Sequence, residues 1–105
     1  MTVDQRDGVS VVTINRPPVN ALDADAVEAL RVAFEALGRD PPPKGVVLTG
    51  AGAAFSAGVD VRAFGSYDRA ARTDFIHAIT RMTAALLALP TPLVAAVNGH
   101  ALGGG

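Results

Sequence analysis

Apolar positions along this chain change their spacing from segment to segment, and each change marks a new element. Val9, Val11, Val12 and Ile14 make a strand-like run. Asp7-Gly8 just before it is a hairpin signal, so Thr2 to Arg6 is expected to pair with it as a first strand. Arg16-Pro17-Pro18 ends that strand, because proline has no amide to give the ladder. Val27, Leu30, Phe34 and Leu37 then fall three and four residues apart, the stripe of an amphipathic helix. Asp23 or Asp25 is expected to cap it, with Glu28 three residues after Asp25 as in a capping box, and Gly38 is the expected C-cap. Pro41-Pro42-Pro43 forbids more helix and leads to a buried strand over Lys44 to Thr49. Asp60 to Phe64 is expected to form a short helix. Ser66-Tyr67-Asp68 starts a longer one, with Phe75, Ile76, Ile79, Met82, Leu86 and Leu89 on its apolar face. Pro90-Thr91-Pro92 ends that helix, and Leu93 to Val97 reads as the next buried strand.

The resulting order, β-β-α-β-α-β, predicts an α/β fold with a partly parallel sheet, because strands separated by helices return in the same direction. At 105 residues the chain is at most one domain. Half of the residues are hydrophobic, enough for an apolar core. A formal net charge of −1 and no basic stripe argue against nucleic acid as a partner. There is no cysteine, which excludes disulfides, thiolate metal sites and cysteine nucleophiles. The longest apolar run, Ala84 to Leu89, is far short of the ~20 residues of a membrane helix. The polar opening from Met1 to Asp7 is unlike a secretory signal, so a cytoplasmic location is expected.

The chemistry concentrates in two glycine-rich turns, each following an apolar strand: Gly50-Ala51-Gly52-Ala53-Ala54-Phe55-Ser56-Ala57-Gly58-Val59-Asp60, and Asn98-Gly99-His100-Ala101-Leu102-Gly103-Gly104-Gly105. Small residues leave backbone N–H groups open to a ligand, and two such turns are enough to aim two donors at one oxygen. The first turn begins like the dinucleotide fingerprint G-x-G-x-x-G, but Phe55 stands where the last small residue is needed. Ala54-Phe55-Ser56-Ala57-Gly58 also resembles a nucleophile elbow, with Ser56 as nucleophile and His100 better placed than mid-helix His77 as its base. Against this, the simpler reading of Ser56 as a small residue filling a tight turn is preferred. A glycine-rich turn after a buried strand usually opens a helix, so the chain is expected to be a piece of a longer α/β protein.

Taken together, three segments are specific. Phe55-Ser56-Ala57-Gly58-Val59-Asp60, Ala96-Val97-Asn98-Gly99-His100-Ala101-Leu102-Gly103-Gly104-Gly105 and Arg16-Pro17-Pro18-Val19-Asn20-Ala21-Leu22 resemble, in order and spacing, the F-S-A-G-x-D, A-x-N-G-x-A-x-G-G-G and R-P-x-x-N-A-L segments of the enoyl-CoA hydratase/isomerase (crotonase) superfamily. The resemblance implies a crotonase-like ββα spiral, truncated here after the second turn, with residues 1–105 as the N-terminal portion of one domain. It implies an acyl-CoA thioester as substrate, with coenzyme A part of that substrate and no separate cofactor or metal. Two backbone amides, those of Ala57 and Gly104, would form the oxyanion hole that stabilises the thioester enolate. Asn20, Ala21 and Leu22 would lie along the CoA moiety, and Ala57, Gly58, Val59, Asp60 and Gly104 would line the substrate. Asp60 reads equally as a helix N-cap, Arg62 as a CoA-phosphate contact or a solvated surface residue, and Phe64 and Phe75 as core or acyl-pocket wall. The longer protein would be a homo-oligomer, trimer or hexamer. The family's hydratase glutamates follow the triple glycine, so hydration, isomerisation, dehalogenation and thioester hydrolysis all stay open. So do a non-catalytic chain of the same fold and a serine hydrolase using Ser56.

Overall fold

The computed structural model describes residues 1–105. Asp7 and Gly8 both take positive φ, 51° and 85°, the geometry of a two-residue hairpin turn. They join β1 (Thr2–Arg6) to β2 (Val9–Ile14), which pair antiparallel with Arg6 opposite Val9. β3 (Gly45–Gly50) adds to β2 in parallel, and β5 (Leu93–Ala96), numbered in chain order, adds to β3 in parallel. The sheet order is therefore β1-β2-β3-β5. This is the expected mixed α/β arrangement.

Each helix is capped by an aspartate whose side chain accepts the amide three residues on. Asp23 caps α1 (Ala24–Arg39) through Ala26, Asp60 caps α2 (Val61–Ser66) through Ala63, and Asp68 caps α3 (Arg69–Leu87) through Ala71. The expected Asp25–Glu28 capping box does not form. Glu28 instead pairs with Arg31 on the outer face of α1, and Arg31 also reaches Glu35. Gly38 is not the C-cap either. It lies inside α1, and the chain leaves the helix at Asp40, because a residue before proline is driven out of the helical region.

Val12 and Ile14 of β2, Val46 of β3, Val27, Leu30, Phe34 and Leu37 of α1, and Phe75 and Ala78 of α3 form one buried core. Both long helices thus cover one face of the sheet. Phe34 and Phe75 are the largest fully buried side chains, and removing either ring is expected to destabilise the fold by about 3–5 kcal/mol. Phe64 and Tyr67 pack their rings against Phe75. The expected apolar face of α3 needs one correction: Ile76 points outward and is 52% exposed, because Phe75 and Ala78 fix the inward direction. The β5 strand is less buried than its composition predicts, with Val94 58% exposed. It is an edge strand, and Leu93 packs against the core while Val94, the next residue, points to the opposite face. No helix is long and apolar enough to cross a membrane.

A second, two-stranded sheet joins the turns. β4 (Ala54–Ser56) pairs in parallel with β6 (His100–Ala101). Neither strand is visible in the hydrophobic pattern, being two or three residues long among alanine and glycine.

Candidate active site

Three loops meet beyond the strand ends of the main sheet: Asn15–Asp23 after β2, Ala51–Asp60 after β3, and Val97–Gly105 after β5. The first two are tied by Asn20. Its residue is buried, with φ 56°, a left-handed conformation that asparagine tolerates. Its Oδ1 accepts the Arg16 amide at 2.8 Å, and its Nδ2 donates to the carbonyls of Ala51 and Ala54 at 3.0 and 2.9 Å. The third loop is tied to the second by Asn98. Its Nδ2 donates to Gly52 and Ala54, and its Oδ1 accepts the Gly50 amide at 3.1 Å. Sequence reasoning placed Asn20 along a ligand and gave Asn98 no role. In the fold both carboxamides are internal staples.

Ser56 is equally committed. Its hydroxyl is buried, donates to the Asn20 carbonyl at 2.8 Å and accepts the Gly58 amide at 3.1 Å. No imidazole is among its partners, and both His77 and His100 are exposed. The serine-nucleophile arrangement is therefore absent, and Ser56 is the turn-filling residue that its neighbours also allowed.

The backbone amides of the two turns divide cleanly. In the first turn, Ala57 donates to Val19 at 3.0 Å and Asp60 to Leu22 at 2.8 Å. Gly58 is held by Ser56, so within Ala57–Asp60 the Val59 amide is the one without a partner. At the end of the second turn, Leu102 donates to Ser56 at 3.0 Å and Gly105 to Leu102 at 2.7 Å, so within Leu102–Gly105 the amides of Gly103 and Gly104 are left without a partner. Of these, Gly104 lies against the first turn. A Cβ on Gly58 would sit 2.9 Å from the Gly104 nitrogen and 2.5 Å from the Leu102 carbonyl oxygen. Gly58 takes φ 84° as well, so both space and backbone demand glycine there. Ala57, the first donor expected from sequence, has its amide on the Val19 carbonyl, and the amide of Val59, two residues on, has no partner.

Arg16 spans the base of this assembly. One guanidinium nitrogen donates to the Ala21 carbonyl and to the Asp60 carboxylate, both at 2.9 Å, and the other faces Asp23 at 3.2 Å. The Ala63 amide, and after it the Arg16 guanidinium, hold the Asp60 carboxyl below its ordinary range. Asp60 is thus the N-cap of α2 and the partner of Arg16. Arg62 is exposed on α2. Leu22 forms a single parallel bridge with Val59, and the Ala21 carbonyl is taken by Arg16. An apolar cavity of about 310 Å³ is lined by Leu22, Phe34, Phe55, Met82 and Leu86 and also bordered by Gly104 and Gly105.

The enoyl-CoA hydratase/isomerase family model matches residues 4–105. The chain belongs to that family. Among its relatives, the glyoxysomal fatty acid beta-oxidation multifunctional protein MFP-a of Cucumis sativus is 40% identical over 94% of this chain and 14% of its own length. The probable enoyl-CoA hydratase echA8 of Mycobacterium leprae is 36% identical over 98% of the chain and 40% of its own. Among solved structures, Pseudomonas aeruginosa DspI superposes with a TM-score of 0.91 at 36% identity, over 99% of this chain and 40% of that one. The crotonase fold expected from the three segments is therefore the fold of this family member. The chain spans well under half the length of each of these relatives.

Proposed function

We propose that this chain carries the thioester-binding half of an acyl-CoA enzyme of the hydratase/isomerase type. The supporting observation is the pair of unpartnered amides, Val59 and Gly104, on two turns that approach so closely that Gly58 has no room for a Cβ. A thioester carbonyl oxygen accepting both N–H groups would be polarised toward its enolate. Charge then develops where two fixed dipoles already point, and no solvent has to reorganise. Removing one such donor typically lowers turnover by on the order of 10²–10³. Neither donor needs a side chain, which is why alanine, valine and glycine are sufficient residue types around the site.

Asn20, Ala21 and Leu22 then act as the wall on which the first turn is mounted. Their side-chain and backbone hydrogen bonds run inward, to Ala51, Ala54, Gly58 and Arg16. A role along the CoA moiety would rest on their shape and not on the Asn20 carboxamide. The relatives named for fatty acid beta-oxidation and for enoyl-CoA hydration favour a fatty acyl thioester. Assembly as a trimer or hexamer and a cytoplasmic location belong to the same proposal, although the cucumber relative is by name glyoxysomal.

The test pairs two measurements on the protein as its gene encodes it and on the 105-residue chain. One is crotonyl-CoA hydration followed by ultraviolet absorbance. The other is calorimetric affinity for crotonyl-CoA against a thioether analogue in which a methylene replaces the carbonyl. The proposal expects both proteins to prefer the thioester. It expects hydration only where acid–base residues are also supplied. Equal affinity for thioester and thioether would overturn it and favour a non-catalytic member of the fold.

A further inference from the structure

Peptide planes connect Arg16 to the proposed Val59 donor. The Val59 N–H belongs to the same planar unit as the Gly58 carbonyl, and a trans peptide points the two in opposite directions. The Gly58 carbonyl accepts the Leu22 amide at 2.8 Å. That bond therefore aims the Val59 N–H directly away from Leu22. The Leu22 N–H in turn shares its plane with the Ala21 carbonyl, which accepts the Arg16 guanidinium at 2.9 Å. The path from cation to donor is thus Arg16, the Ala21–Leu22 peptide, the Gly58–Val59 peptide. On the far side, the Asp60 amide donates to Leu22 at 2.8 Å and the Asp60 carboxylate holds the same guanidinium nitrogen.

We infer that Arg16 is a positioning residue for the Val59 amide, fixing its direction and strengthening it as a donor through two hydrogen-bonded peptide units; this rests on the reading of Val59 as a thioester donor. A hydrogen-bonded chain polarises along its length, and a cation donating into its first carbonyl draws electron density from each N–H in turn. The planar fork of arginine matters here, because one guanidinium engages Ala21, Asp60 and Asp23 together. A lysine ammonium is a point charge on a flexible stem and does not hold three acceptors in a fixed plane.

The experiment uses the protein as its gene encodes it, with crotonyl-CoA labelled with ¹³C at the thioester carbonyl. Isotope-edited infrared difference spectra give the stretch of the bound carbonyl. Thioether affinity and the thermal midpoint are read alongside. In the wild type the stretch is expected to fall below that of free substrate. Arg16→Met is expected to lose most of that fall, and Arg16→Lys part of it, with thioether affinity kept within about twofold. A merely structural arginine would lower the thermal midpoint and leave the stretch of the folded, bound protein at its wild-type position. That result overturns the inference and spares the thioester reading. An unshifted carbonyl in the wild type overturns both. Should Arg16→Met not fold, Arg16→Lys decides, and a full wild-type shift in it counts against the inference.

Discussion

Asn20 and Asn98 donate to one carbonyl, that of Ala54, at 2.9 and 3.3 Å. One carboxamide comes from the loop after β2 and the other from the loop after β5, so three loops are registered through one backbone oxygen. The two staples differ in burial. Asn20 is 1% exposed, whereas Asn98 lies on the exposed side. Asn20→Ala leaves buried carbonyls and the Arg16 amide without partners and is expected to destabilise the fold by about 2–3 kcal/mol. Asn98→Ala exposes its partners to water and is expected to cost about 1 kcal/mol or less. Urea unfolding of the two variants checks the order, and an equal or reversed ranking would contradict the role given to Asn20.

Gly58 and Gly52 form a controlled pair. Both take positive φ, 84° and 75°, but a Cβ on Gly52 meets nothing within 4 Å. Alanine at either position carries backbone strain of order 1–3 kcal/mol. Only at Gly58 does it also press on the Gly104 nitrogen and the Leu102 carbonyl. Gly58→Ala is therefore expected to reduce the affinity preference for thioester over thioether as well as stability, and Gly52→Ala to lower stability alone. Calorimetry with both ligands separates the two. A retained preference in folded Gly58→Ala would show that the spacing of the turns is not set there.

Ser56 makes a prediction of inertness. Its hydroxyl is buried and bonded on both sides. A fluorophosphonate probe should leave the protein unlabelled, and Ser56→Ala should lower stability by about 1–2 kcal/mol through the lost partners of Asn20 and Gly58. Stoichiometric labelling that disappears in Ser56→Ala would restore the hydrolase reading.

Acid sensitivity follows from Asp60. Its carboxyl lies below the ordinary value of 3.8, first because it accepts the Ala63 amide and then because of Arg16. The folded state therefore binds this proton less tightly than the unfolded chain does. The contribution is complete above the unfolded value and is lost as pH falls through the folded one, a window below about pH 4. Asp60→Asn should flatten the pH dependence of unfolding in that window and leave it unchanged near neutrality. Identical acid profiles for the two proteins would contradict the assignment.

The regular part of the fold is legible because its causes are local. The stripe Val27-Leu30-Phe34-Leu37, the Asp7-Gly8 turn and the proline stops each act within a few residues, and the sheet and helices follow them. Gly38 misleads because Pro41 sets the helix end from beyond it. The site is less legible, since its determinants are pairings across the chain. Nothing near Asn20 in sequence indicates Ala54, and nothing near Ala57 indicates Val19. The bond from the Ala57 amide to the Val19 carbonyl, which leaves the Val59 amide without a partner, joins residues far apart in the chain.

The central claim is that Val59 and Gly104 donate to a thioester oxygen while Ala57 does not. Replacing one amide N–H at a time by an ester oxygen, by semisynthesis at each of the three positions, removes a donor and leaves every side chain in place. Affinity for crotonyl-CoA is then measured against the thioether analogue. Ester substitution at Val59 or at Gly104 is expected to remove roughly tenfold of the thioester preference, the scale of one hydrogen bond to a polarised acceptor. At Ala57 it should weaken the fold through the lost Val19 bond and leave the preference intact. An unchanged preference at Val59 or Gly104, or a loss at Ala57 alone, would contradict the account.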